Sequence, residues 1–226
     1  MRFFLPLFSL VLAAHAADPN TLTPEEQKAG WKLLFDGKTN AGWKAIGKKE
    51  FPAKGWVVED GELKRTTAGG DIVTTEEFDN YELSWEWKIS SGGNSGVKYN
   101  LPDPTKGLGF EYQMLDDDKN PDGAVPGGTH RTASLYDLIA APADKKVKPV
   151  GEWNESKIIV NGNKVEQWLN GAKTAEFEMG SEALKALIAK SKYKGIPNFG
   201  VKTKTPILLQ DHNSVVSFRS IKIHQL

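Results

Sequence analysis

The sequence contains no cysteine in 226 residues. Its absence excludes disulfide staples, thiolate metal sites, a cysteine nucleophile and a lipid-modified cysteine near the N-terminus. An exported chain of this composition must hold itself together by core packing alone, which its length permits. Charge of one sign is also missing, because 29 Lys and Arg balance 29 Asp and Glu. No net field is available to gather phosphate backbones or anionic lipid, which argues against nucleic-acid and membrane-surface partners. Histidine is scarce, with four in the chain. No apolar run reaches the ~20 residues that a membrane-spanning helix needs, so no membrane anchor is expected. The nucleotide-binding glycine loop, the GxSxG elbow and the HExxH zinc motif are all missing. What is present is 22 Gly, 12 Pro and seven Trp, with 39% hydrophobic residues. That is enough for a proper core built from many short elements.

The first residues read as a signal peptide. Arg2 gives a positive start, Phe3 to Ala14 is apolar apart from Pro6 and Ser9, and Ala14-His15-Ala16 has the small-x-small form of a cleavage site. The expectation is a signal peptide over residues 1–16, a single domain over 17–226, and a bacterial periplasmic or secreted location. Thr23-Pro24-Glu25-Glu26 then predicts a short capped helix.

From there the signals are those of strands. Expected strands are 32–35, 55–58 and 62–65, with Asp60-Gly61 as a two-residue hairpin turn between the last two. The clearest alternation runs from Tyr81 through Leu83, Trp85 and Trp87 to Ile89, with Glu82, Ser84, Glu86 and Lys88 opposite. Further strands are expected at 97–100, 110–115, 134–136, 156–160, 164–169, 207–210 and 215–223. In the last of these the alternation changes phase between Phe218 and Ile221, which predicts a bulge or burial on both faces. Ser181 to Lys192 predicts a second helix, with Ala183, Leu184, Leu187 and Ile188 as its apolar stripe. Residues 101–109 and 116–132 read as long polar loops of the kind that build sites. Many short strands with hairpin turns and only one or two helices give an all-β fold, an antiparallel sandwich or jelly roll.

Glu111-Tyr112-Gln113-Met114-Leu115-Asp116 is the most informative segment. Strand geometry puts Glu111 and Gln113 side by side on one sheet face, with Phe110, Tyr112 and Met114 turned to the core. The segment resembles the Glu-x-Asp-x-x-Glu strand motif of concanavalin-like glucanases, but Gln113 replaces the middle acid and Asp116 the last. Retaining hydrolysis wants two carboxyl groups ~5–5.5 Å apart, so Asp116 would need a bulge to serve beside Glu111. Asp116 also opens an Asp-Asp-Asp-Lys-Asn-Pro run that reads equally as a solvated turn or a cation-binding loop. Gln210 and His212 fall on one face of their expected strand. Gly92-Gly93-Asn94-Ser95-Gly96 reads as a tight hairpin or as a close backbone approach to a ligand. Of the seven Trp, most are expected in the core.

These residues, with others in the same order, carry a resemblance. Trp31 to Gly37, Asn94 to Val97, Gly109 to Asp116, Ala133 to Tyr136, Gly151 to Asn154, Trp168 to Gly171, Leu209 to His212 and Phe218 to Ile223 match stretches of the 3-keto-disaccharide hydrolase family in that order. Together they span nearly the whole chain after residue 16. The resemblance implies a concanavalin A-like β-sandwich acting on 3-keto-glycosides, sugars already oxidised at C3 by a separate dehydrogenase. It implies elimination chemistry, which needs a base, a group for the enolate oxygen and an acid for the leaving oxygen. On that basis Glu111 or His212 is the base, and Gln113, Gln210 and Asn94 bind the sugar. His130 or Lys98 carries the oxyanion, and Tyr136 lies in the pocket. The alternative cofactor is a divalent metal held by Glu111, Asp116 and His130. Arg219 and Asn170 read as structural. Competing readings are a non-catalytic carbohydrate-binding module, a conventional glycosidase using Glu111 and Asp116, and a structural envelope protein.

Overall fold

A computed structural model describes residues 18–226; the expected signal peptide lies outside them. Helix α1 (Pro24–Ala29) opens with the expected cap. Thr23 Oγ1 accepts the Glu26 N–H at 3.1 Å while the Glu26 carboxylate accepts the Thr23 N–H at 3.0 Å, a reciprocal capping box. Short strands follow: β1 (Lys32–Leu33), β2 (Trp43–Ala45), β3 (Trp56–Glu59), β4 (Glu62–Arg65) and β5 (Ile72–Thr74). The long strands β6 (Tyr81–Ile89), β7 (Asn94–Asp103) and β8 (Leu108–Leu115) come next. After a 3₁₀ turn at Pro121–Ala124, the chain forms β9 (Asn154–Asn161), β10 (Lys164–Leu169) and β11 (Ala172–Glu178). Helix α2 (Glu182–Ile188), β12 (Leu208–Leu209) and β13 (Val216–Gln225) complete it.

The strands form two antiparallel sheets. One is ordered β11-β10-β9-β6-β13-β4-β3, with β1 also pairing β13, and the other β2-β5-β12-β7-β8. The result is an all-β antiparallel sandwich with two short α-helices, as expected. Between the sheets lie Leu83, Trp85, Trp87, Val97, Tyr99, Phe110, Tyr112, Met114 and Phe218, all buried. At roughly 1.5–3 kcal/mol for each large side chain fully withdrawn from water, this layer supplies the stability that disulfides would otherwise give. Several of its polar groups are paired across the core, although the Trp85 indole N–H has no partner among the described residues. Trp87 Nε1–H donates to Ser156 Oγ at 2.8 Å, Ser156 Oγ–H to the Tyr112 hydroxyl at 2.8 Å, and that hydroxyl to the Trp168 carbonyl at 3.2 Å. Of the other Trp, Trp153 lies under Lys88 and Arg219, and Trp31 stacks on His224. Neither is a bare sugar platform.

The phase change in β13 is a bulge. The register jumps between Arg219 and Lys222, and Ser220 takes φ 50°, held by hydrogen bonds to Asn20. The strand pairs β4 before the bulge and β1 after it, so the bulge passes its edge from one neighbour to the next.

The structure departs from the sequence reading in several places. β2, β5 and β11 are strands whose sequences show little alternation; β11 buries only the small Thr174 and Ala175, and pairing with β10 fixes it. Residues 101–103 and 108–109 belong to β7 and β8, not to a loop. The 92–96 glycine segment is no hairpin, because β6 and β7 lie in different sheets and the turn carries the chain from one to the other. A Cβ at Gly93 would meet Ile89 Cγ1 at 2.4 Å, so the close approach there is to its own chain. Helix α2 keeps its Ser181 cap but ends at Ile188, and Lys192 lies in the turn beyond it. β12 ends at Leu209. Among the described residues no helix is long and apolar enough to cross a membrane.

Candidate active site

The second face of the smaller sheet carries the polar residues picked out from the sequence. Val97, Tyr99, Phe110 and Tyr112 fill the core, so period-two geometry turns Asn94, Gly96, Lys98, Glu111 and Gln113 the other way. Register sets Lys98 opposite Glu111 and Gly96 opposite Gln113. Gln210 joins them just past β12, its N–H donating to the Gly96 carbonyl at 2.9 Å.

The expected strand at 134–136 is an irregular segment that borders β8. The Ala133 N–H donates to the Gln113 carbonyl at 2.8 Å, and the Tyr136 N–H to the Glu111 carbonyl at 3.0 Å. Ala133 and Asp137, at φ 63° and 61°, bracket the segment in left-handed conformations that end any regular ladder. The consequence is that Tyr136 stands beside Glu111.

Glu111 is 3% exposed and lies between two ammonium groups. Lys98 Nζ is 3.7 Å and Lys192 Nζ 3.9 Å from the same Oε2. Lys98 also donates to the Gly107 carbonyl at 3.2 Å. Burial lowers Lys192 from the usual lysine range, with Glu111 opposing that shift. Near Lys98, burial pushes the Asp71 carboxyl up, against the Asp211 N–H it accepts and the Lys98 charge.

A second group adjoins the first through Tyr136. His130 is clamped at both nitrogens, Nδ1 2.7 Å from Asp122 Oδ1 and Nε2 3.1 Å from Asp137 Oδ1. Both contacts are hydrogen bonds only when the ring carries two protons. Its ring stacks on Tyr136 at 4.2 Å, and the Tyr136 hydroxyl donates to Asp122 Oδ2 at 3.0 Å. Burial and this aspartate push the Tyr136 phenol up. Burial alone would raise Asp137, but the Lys192 N–H, at 2.6 Å from Oδ2, and His130 outweigh it and hold the carboxyl low. One carboxylate therefore fixes both His130 and the backbone of Lys192.

Three buried polar atoms at or near this cluster have no hydrogen-bond partner among the described residues: Gln113 Oε1, Gln210 Oε1 and the Tyr193 hydroxyl. Gln113 Nε2–H points to Asn94 Oδ1 at 3.5 Å. Unsatisfied buried acceptors are costly, and hydroxyl-rich ligands satisfy them.

Other candidates fall elsewhere. Asp116 is committed to its turn, accepting the N–H groups of Gly92 at 2.7 Å, Asp118 at 3.3 Å and Lys119 at 3.2 Å. Burial raises its carboxyl, but those bonds hold it low. It therefore provides no partner carboxylate for Glu111. The proposed metal set fails for the same reason: Asp116 and both His130 nitrogens are engaged, Glu111 pairs with lysines, and no trio of metal-ligating side chains is arranged for an ion among the described residues. His212 is exposed in the turn beyond β12, so it does not share a strand face with Gln210. Its neighbour Asp211 turns inward to Arg65 at 2.6 Å and draws the chain out of the ladder. Arg219 pairs with Glu86 at 2.5 Å, and Asn170 holds the Lys146 carbonyl at 2.7 Å, both structural contacts.

Residues 30–224 match the 3-keto-alpha-glucoside-1,2-lyase-like domain. The chain belongs to that family. A Bacteroides thetaiotaomicron protein named 3-keto-disaccharide hydrolase is 32% identical over 244 residues, covering 93% of this chain and 83% of that protein. A crystal structure of a "putative glycosyl hydrolase" from Parabacteroides distasonis is 36% identical, with a TM-score of 0.83 over 92% of this chain and 100% of that one. A second from the same organism is 28% identical, with a TM-score of 0.68 over 87% and 99%.

Within this family member, sequence reasoning missed Lys192, Asp122, Asp137 and Tyr193. The signal for Asp122 and Asp137 was their closeness to His130 and Tyr136; Lys192 offered none, since it looked like the polar end of a helix. A cleft of about 440 Å³ opens beside the Asp116 turn, bordered by Asp117 and Lys119. Of its acids, Asp116 is held by its turn and Asp117 pairs with Lys145 at 2.8 Å.

Gly96 supplies a local test. A Cβ there would lie 3.0 Å from Glu111 Oε1 and 3.1 Å from its Cγ. Gly96→Ala is expected to push the carboxylate aside by a few tenths of an ångström. A full 1 Å misplacement costs ~10²-fold, so the expected loss of kcat is on the order of tenfold. Steady-state kinetics beside a melting curve checks this; unchanged kcat would mean that Glu111 need not be held so closely.

Proposed function

We propose that this protein is an exported carbohydrate-active enzyme that cleaves glycosides already oxidised to a ketone at C3, by elimination across C1 and C2. The observation that carries the reading is Glu111, a buried carboxylate flanked by two ammonium groups, while Asp116, the acid expected to work beside it, is held in a turn. Family membership and the name of the Bacteroides relative support the substrate class.

The ketone acidifies the C2–H. Glu111 takes that proton, the C–H pair becomes C2=C3, and the ketone π pair moves onto O3. The enolate pair then returns, C1=C2 forms, and the C1–O bond breaks with its pair on the leaving oxygen. His130, set between Asp122 and Asp137, is the group that supplies the proton to that oxygen. Gln113, Gln210 and Asn94 receive sugar hydroxyls. Addition of water to the enone completes a net hydrolysis. A sugar 3-dehydrogenase must supply the substrate, because nothing in this mechanism oxidises C3.

The test is a time course with a 3-keto-glucoside and its unoxidised parent. Leaving-group release from the keto sugar alone, unchanged by a chelator, is expected. Release from the parent alone would restore an ordinary glycosidase, and release from neither would leave a binding module.

A further inference from the structure

The two lysines at Glu111 are not equivalent. Their side chains are 11% exposed for Lys98 and 47% for Lys192, above a carboxylate that is 4% exposed. Lys98 is tethered to the Gly107 carbonyl. Lys192 Nζ makes no hydrogen bond among the described residues; it sits 3.8 Å from the Tyr136 ring centre and 5.0 Å from that of Tyr193. Its donors are free, and it lies against two aromatic faces on the more exposed side of Glu111.

Resting on the elimination reading above, we propose that Lys192 is a catalytic residue whose ammonium receives the substrate oxygen that becomes anionic, and so selects oxidised over unoxidised sugars. Before reaction its charge is partly met by Glu111. As the C2 proton moves, Glu111 becomes neutral and the negative charge appears on O3, so the attraction of Lys192 transfers to the substrate. An interaction that strengthens as charge develops lowers the barrier rather than merely tightening binding. An unoxidised sugar offers a hydroxyl there, which gains no charge on C2 deprotonation. Asp137 keeps the Lys192 cation in register with the acid, because its two oxygens hold Lys192 N–H and His130. That bond is to the backbone and survives substitution of the side chain.

The groups facing Lys192 are Glu111, Lys98, Asp137, Asp122 and the phenols of Tyr136 and Tyr193. Burial lowers Lys192 from 10.5, so activity that needs its ammonium falls as pH rises through that lowered value.

The experiment compares the full chain with Lys192→Met and Lys192→Arg, using a 3-keto-glucoside in D₂O. NMR reads deuterium entering C2, and a second assay reads leaving-group release. Lys192→Met is expected to lose about 10²–10³-fold in kcat for both with little change in KM. Lys192→Arg is expected to regain part of the rate and move the high-pH limb upward. Wild-type rates in Lys192→Met, or an unmoved limb in Lys192→Arg, would overturn the assignment while leaving the elimination intact. If Lys192→Met fails to fold, the Lys192→Arg limb decides. A wild type that neither exchanges nor releases would remove the functional reading and this assignment together.

Discussion

Glu111→Gln is expected to lower kcat on a 3-keto-glycoside by about 10²–10⁴-fold, the range that a positioned general base contributes. The amide matches the carboxylate in shape but cannot take the C2 proton. Binding should change far less, because Gln113, Gln210 and Asn94 are untouched. The substitution also leaves Lys98 and Lys192 without their shared anion, and Lys98 is nearly buried. A lower melting temperature is therefore expected as well, and must not be mistaken for the catalytic effect. Glu111→Asp separates the two: it keeps the charge and hence the fold, yet withdraws the base by one methylene. Kinetics, ligand-induced thermal shift and melting on both variants give the answer. Near-wild-type turnover in Glu111→Gln would move the base elsewhere.

Where local chemistry sets structure, the sequence was legible. Asp60-Gly61 predicts a two-residue hairpin turn because both positions favour positive φ, and they take 52° and 75°. The alternation from Tyr81 to Ile89 marks β6 to the residue, and the broken alternation after Phe218 marks the bulge at Ser220. The shared face of Glu111 and Gln113 follows from strand period alone. Period does not say what covers that face. Lys192 reaches Glu111 only because the chain leaves α2 early and buries Tyr193 against Phe199, a ring pair 4.1 Å apart that no helical stripe foretells. Asp116 has the place of an acid in the motif and equally that of a turn residue in its Asp-rich run, and the Gly92, Asp118 and Lys119 N–H groups that it caps decide for the turn. His212 looked paired with Gln210 by parity, and parity fails once a strand ends. Short strands such as β2 and β5, three residues each, carry too little pattern to be read before their neighbours are known.

Asp211→Ala is expected to destabilise the protein by roughly 3–5 kcal/mol, the usual cost of leaving one member of a buried ion pair alone. At about 2–4 °C per kcal/mol for a domain of this size, the melting temperature should fall by roughly 6–20 °C. Arg65 and Asp211 side chains are 5% and 6% exposed, with Nε 2.6 Å from Oδ1. The other oxygen of Asp211 accepts the Gly69 and Gly70 N–H groups at 2.7 and 2.8 Å. Arg65 lies on β4 in the larger sheet and Asp211 follows β12 in the smaller, so the pair ties the two sheets together beside Gln210. Burial raises the Asp211 carboxyl, but the Gly69, Gly70 and Asn213 N–H groups and Arg65 outweigh it and hold the group below 3.8. A depressed carboxyl gives stability that is fully present above its unfolded value and is lost as pH falls through the folded one. The gap between wild type and Asp211→Asn should therefore stay level near neutrality and narrow as pH drops below 3.8. Since Gln210 is the preceding residue, Asp211→Asn should also raise KM for the keto sugar more than it lowers kcat. An Asp211→Ala variant that melts with the wild type would show that the β12 ladder, rather than this ion pair, sets the position of Gln210.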